Sequence, residues 1–359
     1  MSLLFEPITI LGLTVKNRVW LPPMCQYSAI NGVVNDWHRV HYGARAVGGF
    51  GLLIAEATGI SPEGRITPQC AGIWNDDQVA AWAPIVAFAH QHGAAMGIQL
   101  QHAGRKASTY WPWAASQGSV PSSDGGWETL APSAVEFPGY AEPKEMTLDD
   151  IQKVIHDFAA AAVNADKAGF DAVEIHAAHG YLLHQFLSPL SNFRTDEYGG
   201  SLDNRARLLR EVVVAIRQVF PVTKPVFVRV SATDWLPGGL TPAEVAAAVA
   251  PLKELGVDLV DASTGGLLPA RIPGVGPGYQ LPAARELKES TGLLTAAVGL
   301  ITEPKQAEQV LAEGDADIVL IGRAALRDPS WPLRAAHELR VSSADPAAEW
   351  PVQYNRGYY

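Results

Sequence analysis

Eight short apolar runs recur along this chain, and longer stretches with helical periodicity separate them. The runs cover 19–23, 51–57, 95–100, 172–176, 226–231, 258–263, 293–298 and 317–322. Most are apolar throughout rather than alternating, which is how parallel strands read when both faces are buried. Helical stretches fall at 38–48, 77–92, 148–168, 203–220, 242–255, 280–290, 304–313 and 329–340. Their ends carry local signals. Thr147 precedes Asp149 and Asp150, an N-cap followed by acids that suit the positive end of a helix. Thr241-Pro242-Ala243-Glu244 combines a capping box with proline at the first helical position. Gly169 and Gly256 sit where C-cap glycines belong, just before a strand.

Strict alternation of eight such units predicts an α/β fold, a (β/α)8 barrel of the TIM type, with residues 1–359 as a single domain. A doubly wound sheet is the competitor, but it usually has fewer strands, and no G-x-G-x-x-G follows the first run. The glycine-rich stretch 274–278 is read as a loop. One connection is too long for the pattern: residues 105–146, after the third strand, carry Trp111, Trp113 and Trp127 among Ser, Pro and Gly. Long ordered insertions of this kind are usually functional, so a lid is expected.

Composition removes other classes. The chain is 48% hydrophobic and 18% charged, enough apolar material for a core. A net charge of −10 argues against nucleic acid or anionic lipid as a partner. Residues 79–104 lack Asp, Glu, Lys and Arg, yet hold Pro84, three histidines and three glutamines. That is a buried helix followed by a buried strand, not a membrane span. Two cysteines, Cys25 and Cys70, cannot hold an iron–sulfur cluster or build a disulfide scaffold. No basic start precedes an apolar run, so no signal peptide is expected and the cytoplasm is the default.

In a barrel the chemistry lies at the C-terminal strand ends. Here those ends bring Pro22 to Tyr27, Glu56-Ala57, then Gln99, Gln101, His102 and Arg105-Lys106. The later ends bring His176 to Tyr181, Arg229, Ser263 to Gly266, Gly299 and Gly322-Arg323. Glycines after strands seven and eight let backbone amides approach an anion, and Arg323 adds charge, so a phosphate is expected there. The alternative is a turn in which Arg323 pairs with Asp328. His176 and His179 could bind a metal, form an electrophilic clamp for a carbonyl oxygen, or satisfy buried hydrogen bonds. Glu174 is expected on the other face of the strand, which leaves a metal without its third ligand; no metal is predicted. Tyr181, protonated at neutral pH, can donate a proton.

Beyond these residues, the runs Lys16-Asn17-Arg18, Pro22-Pro23-Met24-Cys25-Gln26-Tyr27, 98–106, Glu174 to Tyr181, Ser188 to Asn192, 194–201, Asn204-Arg205 and Ile321-Gly322-Arg323 resemble the Old Yellow Enzyme family of flavin-dependent ene-reductases. The similarity is to its smaller, thermophilic-like bacterial class and covers essentially the whole chain.

That resemblance implies FMN at the barrel mouth and NADPH or NADH as reductant. By position, Pro22, Pro23, Met24 and Cys25 line the flavin ring edge, Ala57 and Gln99 reach its polar rim, and Arg229 lies at the pyrimidine end. Gly299, Gly322 and Arg323 hold the phosphate. Cys25 and Tyr27 mark the class. An enone or enal would be held through its oxygen by His176 and His179, take hydride at the β-carbon from flavin N5, and take a proton at the α-carbon from Tyr181. Tyr27 joins the substrate wall. The tail 347–359 would reach a neighbouring subunit's site in a homodimeric unit, with Arg356 and either Tyr358 or Tyr359 completing the partner's pocket.

Rival enzymes fit less well. A dienoyl-CoA reductase relative would need its cluster cysteines and an extra domain, and a tRNA-modifying barrel would need a basic surface. A flavin-free lyase or aldolase would need a catalytic lysine at a strand end, which none of the eight is expected to offer.

Overall fold

All eight apolar runs form strands, and the strands close on themselves. The computed structural model describes residues 2–342 and 344–358. In it β1 (Val19–Leu21), β2 (Leu52–Gly59), β3 (Ala95–Gln101), β4 (Ala172–Ala177), β5 (Val226–Ser231), β6 (Leu259–Ser263), β7 (Leu294–Ala297) and β8 (Ile318–Leu320) pair in parallel, and β8 returns to β1. The longer helices pack outside: α1 (Asp36–Val47), α2 (Asp76–Gln91), α3 (Leu148–Lys167), α4 (Arg207–Val219), α5 (Pro242–Val249), α6 (Leu281–Thr291), α7 (Pro304–Ala312) and α8 (Trp331–Glu338), with short ones at Leu182–Leu187, Leu202–Arg205 and Arg323–Arg327.

The caps work as their chemistry requires. Thr147 and Asp150, and Thr241 and Glu244, form reciprocal capping boxes. Gly169 and Gly256 take φ of 93° and 99°, the left-handed region that favours glycine. The stretch 242–255 is not one helix. It is α-helical only to Val249 and then tightens to a 3-10 turn at Ala250–Leu252, because Pro251 has no N–H for the ladder. The uncharged stretch 79–104 divides into α2 and β3 about Gly93, at φ 68°. No helix among the described residues is long and apolar enough to cross a membrane.

Two elements escaped the sequence pattern. A hairpin of Ile8–Ile10 and Leu13–Val15 lies under the barrel. Its Ile8, Ile10 and Val15 join Trp20, Leu52, Ile54, Phe227, Leu259 and Ile318 in one buried cluster, with Trp20 stacked on Phe227 at 5.7 Å. The lower barrel is therefore a packed plug rather than a pore. Between β3 and α3 the insertion holds 3-10 turns at Gly104–Lys106 and Ser122–Asp124 and a ladder pairing Leu130–Ala131 with Lys144–Glu145. Much of the motif 188–205 proves structural. Asn192 donates to the carbonyls of Phe186 and Tyr198, and Arg205 donates to the carbonyls of Leu187 and Gly200, folding the link into α4.

Candidate active site

The upper end of the barrel differs in backbone as well as side chains. Several non-glycine residues there have left-handed backbone, among them Tyr27, His179 and Leu300, with φ of 49°, 57° and 53°. Each of these three follows a barrel strand, and left-handed backbone in ordinary residues is a strain that clusters at functional sites. A register shift in β2 between Ala55 and Thr58 marks a bulge that re-aims Glu56 and Ala57. Glu56, wholly buried, then accepts the amide of Gln26 at 2.9 Å, which anchors the loop after β1.

Pro22, Pro23, Met24, Arg229, Gly299, Gly322 and Arg323 line a single cleft of about 200 Å³. Ser263 and Gln280 complete its wall. Asp328 pairs with Arg334 at 2.9 Å, so the alternative pairing with Arg323 is not formed. Gly299 has φ 132°, and a Cβ there would press on Gln280 at 3.1 Å. A cradle that needs glycine at 299, beside Arg323, which pairs with no carboxylate among the described residues, fits a phosphate. Arg229 places its Nε 3.0 Å from Asp261 and adds a second cation to the same cleft. The residues present therefore fit the phosphate and the electron-rich ring of FMN.

The two histidines adjoin this cleft, with ring centroids 5.2 Å apart, and Tyr181 lies 5.0 Å from His176. Burial, reinforced by the charge of Arg229, holds both imidazoles well below their ordinary pKa, so both are neutral. His176 Nδ1 accepts the amide of Ala178 at 3.3 Å, which leaves its proton on Nε2. His179 Nε2 lies 2.8 Å from the hydroxyl of Ser263. Burial and the neighbouring Cys25 push the Tyr181 phenol up, so it keeps its proton. Cys25 and Tyr27 pack with Tyr181 and Trp127 against Ala57, Ala103 and Cys70. Trp113 of the insertion meets Tyr27 edge-on at 5.7 Å.

Two expectations need correction. Glu174 is not on the far face of its strand. Residues two apart share a face, so it points into the barrel with His176. There it accepts from Gln99 Nε2 at 2.7 Å, and burial and Asp261 push its carboxyl up. Gln99 is thus fixed with its nitrogen committed to Glu174. Even so, among the described residues no group of three or more His, Cys, Asp or Glu is placed to hold a metal. Second, a lysine does reach the mouth. Lys106 follows β3 through a 3-10 turn, and its Nζ donates to the carbonyls of His179 and Gly266.

Gln280 carried no sequence signal, since it ends a glycine-rich loop at a helix start. It accepts from Thr264 at 2.6 Å and donates to the Val298 carbonyl at 3.0 Å. Arg356 and Tyr358 are not brought to this chain's own cleft. Tyr358 packs edge-on against Trp350 at 5.7 Å instead. Tyr359 lies outside the described residues.

Known proteins share this sequence pattern and fold. A family model for the NADH:flavin oxidoreductase / NADH oxidase family matches residues 3–342. The chain is 50% identical over 360 aligned positions to an NADPH dehydrogenase of Geobacillus thermodenitrificans, covering 99% of both proteins. The solved Old Yellow Enzyme homologue from Zymomonas mobilis superposes with a TM-score of 0.80 at 30% identity, over 99% of this chain and 98% of that one. A 2-naphthoyl-CoA reductase superposes at 0.85 with 27% identity over 94% of this chain, which spans 52% of that longer protein. Full-length identity and a cleft with these residues agree: the chain belongs to the NADH:flavin oxidoreductase / NADH oxidase family.

Proposed function

We propose that this FMN-dependent, NAD(P)H-driven oxidoreductase reduces the activated C=C bond of α,β-unsaturated carbonyl compounds, with His176 and His179 binding the substrate oxygen and Tyr181 supplying the proton. The observation that carries this reading is the pair of neutral imidazoles 5.2 Å apart beside a protonated phenol. Gly299, Gly322 and Arg323 would hold the FMN phosphate, with Pro22, Pro23, Met24 and Cys25 along the ring edge, Ala57 and Gln99 at its polar rim and Arg229 at the pyrimidine end. When bound, FMN supplies the hydride and takes its electrons from the nicotinamide.

The chain's own groups do the rest. Neutral imidazole N–H donors draw electron density toward the substrate oxygen and are too weakly acidic to transfer their proton to it. Tyr181 gives its proton to the α-carbon from within reach of the same pocket. Tyr27 and the insertion, through Trp113, form the outer wall, and the insertion acts as a lid that keeps water from the reacting atoms.

The working unit in this reading is a homodimer in the cytoplasm, where both free cysteines stay reduced. Trp37 and Val40 of α1 are 57% and 68% exposed, and Tyr354 of the tail shares a groove with Val40 and Phe88. An apolar face joined to a tail suits a second copy of this chain. Arg356 and Tyr358 would then serve the partner's site.

The clamp is tested by His176→Ala and His179→Ala. Each should weaken binding of a simple phenol and slow alkene reduction by ~10²–10³, the usual cost of one such donor. Undiminished phenol binding in both variants removes the clamp from the mechanism.

A further inference from the structure

Among the described residues no carboxylate pairs with the ammonium of Lys106. Its Nζ donates to the His179 carbonyl at 2.7 Å and the Gly266 carbonyl at 3.0 Å. It sits over the Tyr181 ring at 5.0 Å and over Phe137 of the insertion at 4.8 Å. Arg105, almost fully buried beside it, donates to the carbonyls of Val135, Glu136 and Leu267. Two consecutive cations thus staple the insertion, the loop after β6 and the turn after β4 to the end of β3. The turn they hold is tight. A Cβ on Gly180 would come within 2.3 Å of the Gly266 carbonyl, and one on Gly266 within 2.6 Å of His179 Cα.

Lys106 is half-buried, and carbonyls and ring faces only partly offset the desolvation of its ammonium. The arrangement suits a state in which negative charge develops nearby, because a fixed charge aimed at that position needs no reorganisation. We propose that Lys106 is a positioning residue for proton delivery: it pins the His179–Tyr181 turn and sets an unpaired positive charge against the Tyr181 ring. The proposal rests on the reading of Tyr181 as proton donor. The hydride and its electron pair at the β-carbon would come from reduced FMN when it is bound. The Tyr181 O–H bond breaks as the proton joins the α-carbon, leaving a phenolate that water later reprotonates. Lys106 stabilises that phenolate.

The groups facing Lys106 are Arg105 on its own turn, then His176, His179 and Tyr181 from the end of β4. The loop after β6 adds the Gly266 carbonyl, and the insertion adds Phe137 with Tyr140 packed on it at 4.9 Å. The imidazoles are held neutral by burial and the phenols protonated, so none of these groups is an anion at neutral pH. Burial, with Arg105 adding to it, brings the Lys106 ammonium down to about 8. The cation is present below that pH and lost above it, and its loss makes Tyr181 a weaker acid.

The test uses the FMN-loaded enzyme and its Lys106→Met, Lys106→Arg and Tyr181→Phe variants. Flavin reduction by NADPH and reoxidation by 2-cyclohexen-1-one are timed separately from pH 6 to 9.5. Wild-type reoxidation should slow above pH 8. Lys106→Met should be about ten-fold slower at pH 7 and lose that alkaline limb, with flavin reduction within two-fold of wild type. Lys106→Arg should restore most of the rate and push the limb upward. In the Tyr181→Phe background, Lys106→Met should add nothing. An unchanged pH profile in Lys106→Met, or an equal loss in both half-reactions that arginine does not rescue, overturns the proposal. If Lys106→Met does not fold, an unmoved alkaline limb in Lys106→Arg overturns it alone. Normal reoxidation in Tyr181→Phe would instead sink the proton-donor reading beneath it.

Discussion

The two ends of this barrel are built from the same strands and obey opposite rules. At the lower end the hairpin's Ile8, Ile10 and Val15 seal an apolar cluster with Trp20, Leu52, Phe227 and Ile318. At the upper end several ordinary residues, Tyr27, His179 and Leu300 among them, take left-handed backbone, and Glu56, Glu174, Asp261, Arg229 and both site histidines are buried together or nearly so. The lower end gains its stability from apolar packing, and the left-handed residue Leu11 sits in the exposed turn of the hairpin rather than within that packing. The upper end holds strained turns and desolvated charge that only the surrounding packing can support. Stability and reactivity are therefore separable along the barrel axis, and variants at the two ends should fail in different ways.

The largest effect is expected at the mouth with the smallest change in volume. Tyr181→Phe removes one hydroxyl and keeps the ring that packs on His176. Loss of a general acid costs roughly 10²–10⁴ in rate. Stopped-flow reoxidation with an unactivated enone should show that loss while the melting temperature stays near wild type. A fall in melting temperature that parallels the fall in rate would erase the contrast between the two ends.

The reverse experiment belongs at the lower end. Leu52→Ala empties part of a wholly buried position in the plug. Truncations of this kind cost about 2–5 kcal/mol, depending on how far the site collapses. Chemical denaturation should show the loss, and both half-reaction rates should hold as long as the protein is folded. A large rate effect from Leu52 would mean that the plug and the mouth are mechanically coupled.

How far each end could be read from the chain follows from the same contrast. Buried parallel strands are apolar throughout, so the runs around Val226 and Asp261 stand out with no knowledge of their partners. The hairpin did not, because Ile8–Ile10 and Leu13–Val15 are three-residue strands whose burial depends on a barrel folded hundreds of residues later. At the mouth, residues at strand ends were legible because barrel topology places them: Pro22, His176, Arg229, Gly322. Gln280 and the amine of Lys106 were not. One lies at the end of a loop and the other at the end of a long side chain, and neither position follows from strand register. Glu174 was legible and misread, since a period of two places it with His176.

Arg323→Ala should have a smaller effect than either end's main test. The side chain lines the cleft with Gly299 and Gly322 but packs in neither hydrophobic cluster. A charge-assisted hydrogen bond contributes about 1.5–3 kcal/mol, so FMN should be retained roughly ten- to a hundred-fold less tightly. Folding of the barrel, followed by circular dichroism, should be unaffected. Stoichiometric FMN after extensive dialysis would show that Arg323 does not hold the phosphate.

The smallest effect on a single chain, and the sharpest test of where the mouth ends, concerns the tail. Arg356 and Tyr358 lie away from their own cleft, and the segment Val352–Gly357 forms only 3-10 turns. Such a segment contributes little to the core, so deleting residues 355–359 should barely move the melting temperature. If the tail completes a partner's mouth, the deletion should change substrate affinity or selectivity instead, because an aromatic ring and a fixed guanidinium can close a pocket at low entropic cost. The deletion protein has intact histidines and no tail, whereas His176→Ala has a tail and a disabled clamp. When the two exchange subunits, each hybrid contains one intact-histidine site facing one intact tail. Activity measured after confirmed exchange should exceed the sum of the separate proteins at equal dilution. An absence of gain would mean that each tail serves its own chain or none, and that the upper end, like the lower, is complete within a single barrel.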